Sequence, residues 1–173
     1  NQSASGLTAG IYTVNVQDAN NCSISQTVQI VEPPALSLTA TQTQSVSCNG
    51  GNNGSATSNP SGGVGGYTYT WLPSGGNGQT AIGLTAGIYT VNVQDANNCS
   101  ISQTVQIVEP PALSLTATQT QSVSCNGGND GSATSNPSGG VGGYTYTWLP
   151  SGGNGQTAIG LTAGIYTVNV QDA

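Results

Sequence analysis

The stretch Gly66-Tyr67-Thr68-Tyr69-Thr70-Trp71 decides the fold. Its alternation sends Tyr67, Tyr69 and Trp71 to one face and Thr68 and Thr70 to the other, the pattern of a strand with one face in a core and one in water. Trp71 is the expected central anchor. Downstream, Ile88 to Gln94 repeats the period of two, with Tyr89, Val91 and Val93 inward and Thr90, Asn92 and Gln94 outward. The turn Asp95-Ala-Asn-Asn then leads into Ile101 to Val108, and these last two strands read as a hairpin. Upstream, Leu36 to Thr43 places Leu36, Leu38 and Ala40 on one face, and Gly54 to Asn59 is a weaker strand. Gly, Asn, Pro and Ser clusters separate these stretches and no helical period occurs. Leu84-Thr-Ala-Gly-Ile-Tyr89 resembles a tyrosine corner, in which a Tyr opening the penultimate strand bonds back to the preceding loop. A Trp on the third strand with such a corner predicts an all-β chain of immunoglobulin-like sandwiches. A β-solenoid is the competing architecture, but no short period divides the unit.

That unit repeats. GLTAGIYTVNVQDA begins at Gly6, Gly83 and Gly160, a period of 77. Aligning residues 1–96 with 78–173 leaves four differences: Asn1/Gly78, Ser3/Thr80, Ser5/Ile82 and Asn53/Asp130. Copies that each carried a separate specificity would diverge, whereas copies that add length need only fold, so near-identity favours a spacer. The Glu-Pro-Pro-Ala segments are the expected boundaries, because paired prolines stiffen a connection and cannot continue a central strand. The predicted division is residues 1–32, the last part of a repeat; 33–109, one complete repeat; and 110–173, the first part of another without its last strand. Pro33, Pro34, Pro110 and Pro111 are the linker residues. The expected core is Trp71, Tyr67, Tyr69, Leu84 and Tyr89, with Trp148 and Tyr166 in the next copy. The chain reads as cut from a longer array.

Composition narrows the function. The 173 residues include no Lys, Arg or His, six acids, four cysteines and 26 glycines, for a net charge of -6. Without cations nothing neutralises phosphates, so nucleic acid is excluded as a partner. Missing His and Lys remove the usual general base, the commonest metal ligand and the Schiff-base nucleophile. The acids are too few and too dispersed for a glycoside-hydrolase pair. Glycine-rich turns such as Ser61 to Gly66 lack a P-loop Lys and a following helix. No enzyme activity and no required cofactor are expected. Asp95, Glu109 and Asp130 could contribute to Ca²⁺ binding near junctions; the simpler reading makes Asp95 a turn residue and Glu109 a linker charge. No apolar run reaches the roughly 18 residues that span a bilayer, and the polar Thr, Ser, Asn, Gln and Gly surface suits secretion. Tyr67, Tyr69 and Trp71 could stack sugars if exposed, but core packing accounts for them more simply.

In a secreted domain Cys22, Cys48, Cys99 and Cys125 are disulfide candidates. Three pairings compete. Cys48–Cys99 within one domain would add about 3–4 kcal/mol on a loop-entropy basis, although immunoglobulin topology sets those loops at opposite poles. Cys22–Cys48 would require a hairpin about Pro34-Ala35. The third joins the lower pole of one domain to the upper pole of the next. Two thiols per repeat without His make zinc a poor fit.

The ordered set CNGGNDGSAT (125–134), SGG followed by YTYTW, GLTAGIYTVNVQDANNC (83–99) and VEPPAL (108–113) resembles the SprB repeat of Bacteroidota cell-surface proteins. The likeness spans the whole repeat. One departure is Val64-Gly65-Gly66, where the family often has Pro before the aromatic strand. The resemblance implies a very large, extracellular surface adhesin exported by type IX secretion and associated with gliding motility. This segment would be its stalk or filament body, with neighbouring repeats as its partners. Identical chains in a thicker filament are a further partner, and surface glycans another if the repeats bind by many weak contacts.

Overall fold

The computed structural model describes residues 2–173, and all of its regular structure is β. A hairpin of β1 (Gly10–Gln17) and β2 (Ser23–Ile30) comes first. There follow β3 (Ser37–Gln44), β4 (Gly54–Ser61), β5 (Thr68–Leu72), β6 (Thr80–Leu84), β7 (Gly87–Gln94) and β8 (Ser100–Ile107). The next copy contributes β9 (Ser114–Gln121), β10 (Gly131–Ser138), β11 (Thr145–Leu149), β12 (Thr157–Leu161) and β13 (Thr167–Gln171).

In residues 37–107 two antiparallel sheets form, ordered β3-β4-β6 and β5-β7-β8. This is the order of an immunoglobulin sandwich, A-B-E against C-F-G, with no D strand. The alternating residues of both sheets meet between them: Val46, Ala56, Trp71, Ala81, Leu84, Tyr89, Val91, Val93 and Ile107 are all buried, and Leu38, Ala40, Tyr67 and Tyr69 pack partly buried against them. The tyrosine corner is present, with the Tyr89 hydroxyl donating to the Thr85 carbonyl at 3.2 Å. The Trp71 indole N–H donates to the Gly78 carbonyl at 2.9 Å, so burying the ring strands no polar atom.

β6 lies outside the strands expected from the sequence. A register shift between Gly54 and Ser55 and a positive φ at Gly83 break its period of two, leaving Ala81 and Leu84 inward at a spacing of three. Its start is held by an exchange with buried Ser58. The Ser58 N–H and hydroxyl donate to the Gln79 carbonyl, and Gln79 Nε2 donates to the Ser58 carbonyl, each at 3.0 Å.

β8 closes the structure. It pairs with β7 in one sheet and also lies against β3 of the other, where the Val46 N–H donates to the Val108 carbonyl at 2.9 Å. In residues 110–173 the order is β12-β10-β9 and β11-β13, and the sequence holds no strand corresponding to β8. There Val123, Gly131, Trp148, Leu161 and Tyr166 help line an open groove of about 500 Å³. Tyr166 is half-buried where Tyr89 is buried.

Gly54 shows how tightly β8 is seated. A Cβ there would meet Ile107 Cγ2 at 2.7 Å and the Leu84 carbonyl oxygen at 2.8 Å, whereas one on Gly65 would meet nothing within 4 Å. Gly54→Ala is expected to destabilise residues 33–109 by about 1–3 kcal/mol through overpacking. Gly65→Ala should leave the urea midpoint essentially unchanged, and comparing the two variants checks the packing.

Candidate functional site: the ends of the repeat and the joint

The structured turns gather at the two ends of the sandwich, and both ends are organised by a carboxylate. At the end holding the β7–β8 turn, Asp95 is buried although it is charged. Its Oδ2 accepts the Val64 N–H at 3.0 Å, and its Oδ1 accepts the Asn97 and Cys99 N–H groups at 2.9 Å each. One side chain thus shapes its own hairpin turn and fastens the β4–β5 loop to it. The same loop is held at Gly62, whose carbonyl accepts the Tyr67 hydroxyl at 2.6 Å. Gly62 has φ of +74, and a Cβ on it would fall 2.0 Å from the Ala35 carbonyl oxygen, so no other residue fits. Gly63 donates its N–H to the Pro34 carbonyl at 2.7 Å, tying the incoming linker to this end.

At the opposite end Glu109 does the equivalent work. Its Oε2 accepts the Gly50 N–H at 2.7 Å and its Oε1 accepts Asn49 Nδ2 at 3.1 Å. Asn49 Nδ2 also reaches the Pro110 carbonyl at 3.1 Å. The following proline carbonyl, Pro111 O, accepts the Gly140 N–H of the next copy at 2.8 Å. Consecutive linker residues are therefore held from opposite sides, Glu109 and Pro110 by the repeat they leave and Pro111 by the one they approach. Gln44 to Ser47, Val108 to Pro110, Val141 and Ala173 enclose a cleft of about 590 Å³ at this junction.

The single internal difference near this end is conservative. Asn53 Oδ1 accepts the Ser47 N–H at 3.0 Å while its Nδ2 donates to Ser47 Oγ. Asp130 Oδ1 accepts the Ser124 N–H at 2.9 Å, and Ser124 Oγ donates to Oδ2. The serine hydroxyl turns from acceptor to donor, and the two shapes interchange. Those bonds, the Ser124 hydroxyl's first, hold the Asp130 carboxyl below its ordinary range.

The aromatic and leucine positions read from the sequence lie in the two cores: Trp71, Leu84, Tyr89 and Trp148 are buried, and Tyr67, Tyr69 and Tyr166 are half-buried. Val46 and Ile107, each 1 % exposed, belong to the same core and are absent from the sequence-based set. Asp95, Glu109 and Asp130 do not converge, and among the described residues no group of three or more His, Cys, Asp and Glu side chains is placed to hold a metal. Among the described residues no helix is long and apolar enough to cross a membrane.

The topology excludes one of the three disulfide pairings and gives no support to a second. All four cysteines are free and exposed. Cys99 stands just before β8, while Cys48 neighbours Val46, which is bonded to Val108 just after it. Eight residues at about 3.3 Å each separate the two ends by about 26 Å, far beyond the roughly 7 Å that a disulfide tolerates between Cα atoms. A Cys48–Cys99 bridge within one sandwich is thus excluded. The hairpin that would bring Cys22 level with Cys48 is not formed, because β2 and β3 belong to different sheets. The pole-to-pole pairing would use Cys48 and a position three residues past Ala173, outside this sequence.

Set beside known proteins, the chain matches the family model described as the SprB repeat at residues 40–76 and 117–153. Each match runs from the first long strand through the buried Trp to the loop after it. A search of curated proteins returns no match. Among solved structures it is similar to the three N-terminal domains of the bacteriophage RB49 Highly Immunogenic Outer Capsid protein (Hoc), at 21% identity and a TM-score of 0.47, over 80% of this chain and 54% of that one. The chain thus spans about half the length of that structure.

Asp95 gives this end an acid sensitivity. The Val64 N–H, followed by those of Cys99 and Asn97, lowers its carboxyl from the ordinary 3.8 against an opposing effect of burial. A depressed folded value stabilises above the unfolded value and loses that contribution as pH falls through the folded one. The urea midpoint is expected to hold steady from neutral pH and to fall below about pH 4. Asp95→Asn should lower the neutral midpoint and flatten that acid limb, as a pH series of unfolding curves would record.

Proposed function

We propose, from the two SprB repeats this chain carries, that it is a spacer: a stalk or filament segment within the repeat region of a secreted bacterial surface adhesin. It performs no catalysis and supplies reach. The joint carries this reading. A linker held by Glu109 and Asn49 on one side and by Gly140 on the other transmits direction from repeat to repeat instead of acting as a free hinge. Near-identical copies fit the same role, since each adds length and none needs its own ligand. Eight-residue strands plus loops give roughly 35 Å per repeat if the strands run along the array. Gliding motility and type IX export are the setting that the family resemblance suggests.

A second reading has one observation in its favour. The outer face of β3-β4-β6 is an uncharged array of hydroxyls, cross-linked in pairs: Ser37 with Ser61 and Thr43 with Ser55 at 2.7 Å, and Thr57 with Thr80 at 2.9 Å. The next copy repeats all three pairs. Presented many times along an array, such a face suits weak multivalent contact with neutral glycans. Lateral contact between identical chains through open strand edges is the related alternative.

Two measurements separate these readings. For the spacer, electron microscopy of arrays with increasing repeat number should show length rising linearly, and Glu109→Ala should broaden the angles between neighbouring domains while changing the unfolding free energy by less than about 1 kcal/mol. An unchanged angle distribution would remove the joint from the account. For the glycan reading, retention on neutral polysaccharide that disappears in Thr57→Ala/Thr80→Ala at unchanged stability would displace the spacer.

A further inference from the structure

The chain holds five Asn-Gly pairs, at Asn49, Asn53, Asn77, Asn126 and Asn154. In such a pair the glycine N–H is the nucleophile for cyclisation onto the asparagine side chain, because no Cβ obstructs its approach. What differs among the five is the company each keeps. At Asn49-Gly50 a single carboxylate touches both reacting nitrogens: Glu109 Oε2 accepts the Gly50 N–H at 2.7 Å, and Glu109 Oε1 accepts Asn49 Nδ2 at 3.1 Å. Both residues are exposed to water, Gly50 has φ of +75, and nothing lies within 4 Å of the space beside its Cα.

We infer that Asn49-Gly50 is a self-modification site at which Glu109 serves as the proton carrier for loss of the Asn49 side-chain nitrogen. The Gly50 nitrogen attacks Asn49 Cγ as Glu109 takes its proton, forming the new N–Cγ bond of a five-membered imide. The Cγ–Nδ2 bond then breaks, and the proton passes from Glu109 to the departing nitrogen, which leaves as ammonia. Water opens the imide to aspartate or isoaspartate at position 49. The proton from Gly50 ends on ammonia, no oxidant or reductant takes part, and water is the only co-reactant. A carboxylate within hydrogen-bond reach of both the proton source and the leaving group meets the geometric requirement for general base and acid in turn.

The other pairs lack this arrangement. Asn53 is committed to Ser47 through both its side-chain atoms, and Gly54 opens β4 against Ile107. Asn126-Gly127 lies in the same loop sequence, Ser-Cys-Asn-Gly-Gly, but this sequence contains no counterpart of Glu109 for it. Within the 173-residue chain it serves as the comparison site. The product would set a second carboxylate beside Glu109 and remove the Nδ2 donor to both Glu109 and Pro110. On the spacer reading, which this consequence alone rests on, the joint loosens as the protein ages.

The test is to incubate the 173-residue chain at neutral pH and follow each asparagine by mass spectrometry of chymotryptic peptides, since the chain offers trypsin no site. Asn49 should convert at least about tenfold faster than Asn126, towards the ~10²-fold that a positioned proton acceptor supplies. Glu109→Gln should bring Asn49 down to the Asn126 rate, and full denaturation in urea should equalise the two sites in the unmodified sequence. Conversion of Asn49 no faster than Asn126 in the folded chain, or faster in Glu109→Gln, would show that the clamp protects the pair and would overturn the inference. The comparison within the unsubstituted chain decides the matter even if the variant folds poorly.

Discussion

With no lysine, arginine or histidine in the chain, every carboxylate must find its partners among N–H and O–H groups, and the form of the repeat follows from that constraint. Asp95 meets it with three backbone N–H groups, which fixes the β7–β8 turn and the β4–β5 loop as one unit. Glu109 meets it with Gly50 and Asn49, which fixes the departing linker. Hydrogen bonds to a charged acceptor are stronger than neutral ones and have defined directions. Two acids placed at opposite ends therefore order the loops where one linker arrives and the next departs. Cationic side chains would compete for the same carboxylates, and their absence leaves the backbone as the partner.

Between those ends, stability comes from ordinary packing. Trp71, Tyr89, Val91, Val93 and Ile107 fill the space between two three-stranded sheets, and β8 spans the sheets by pairing with β7 and leaning on β3. The outer faces are mostly threonine, serine and asparagine beside a few exposed apolar side chains such as Ile82 and Ile88, and paired Ser and Thr hydroxyls cross-link neighbouring strands. An uncharged surface of this kind is indifferent to salt, because it has few long-range interactions to screen. Near-identical copies work as neighbours for the same reason: Asn53 and Asp130 show that the loops accept a change of charge when the partner is a hydroxyl that can reverse its bond.

The central strands were legible because their signal is local. Tyr67-Thr-Tyr-Thr-Trp71 and Tyr89 to Val93 alternate without interruption, and both lie where that alternation puts them. β6 was not legible, since the bulge opposite Gly54 and the positive φ at Gly83 replace the period of two by a spacing of three between Ala81 and Leu84. Val46 stands alone among serines, and only the bond to Val108 brings it into the core. The role of Glu109 was hidden for a related reason, as its partners lie 59 and 60 residues earlier. The intradomain disulfide, one of three candidate pairings, fails for the reason its topology already suggested: Cys48 and Cys99 stand at opposite ends of β8.

The central claim is a single file of folded repeats joined by directed linkers. Electron microscopy of native, unreduced filaments measures it directly through diameter and axial spacing. The account predicts a thread one sandwich wide with beads about 35 Å apart. A wider helical fibre built from several chains would contradict it and would make lateral contact, in place of the linker, the interaction that gives the filament its form.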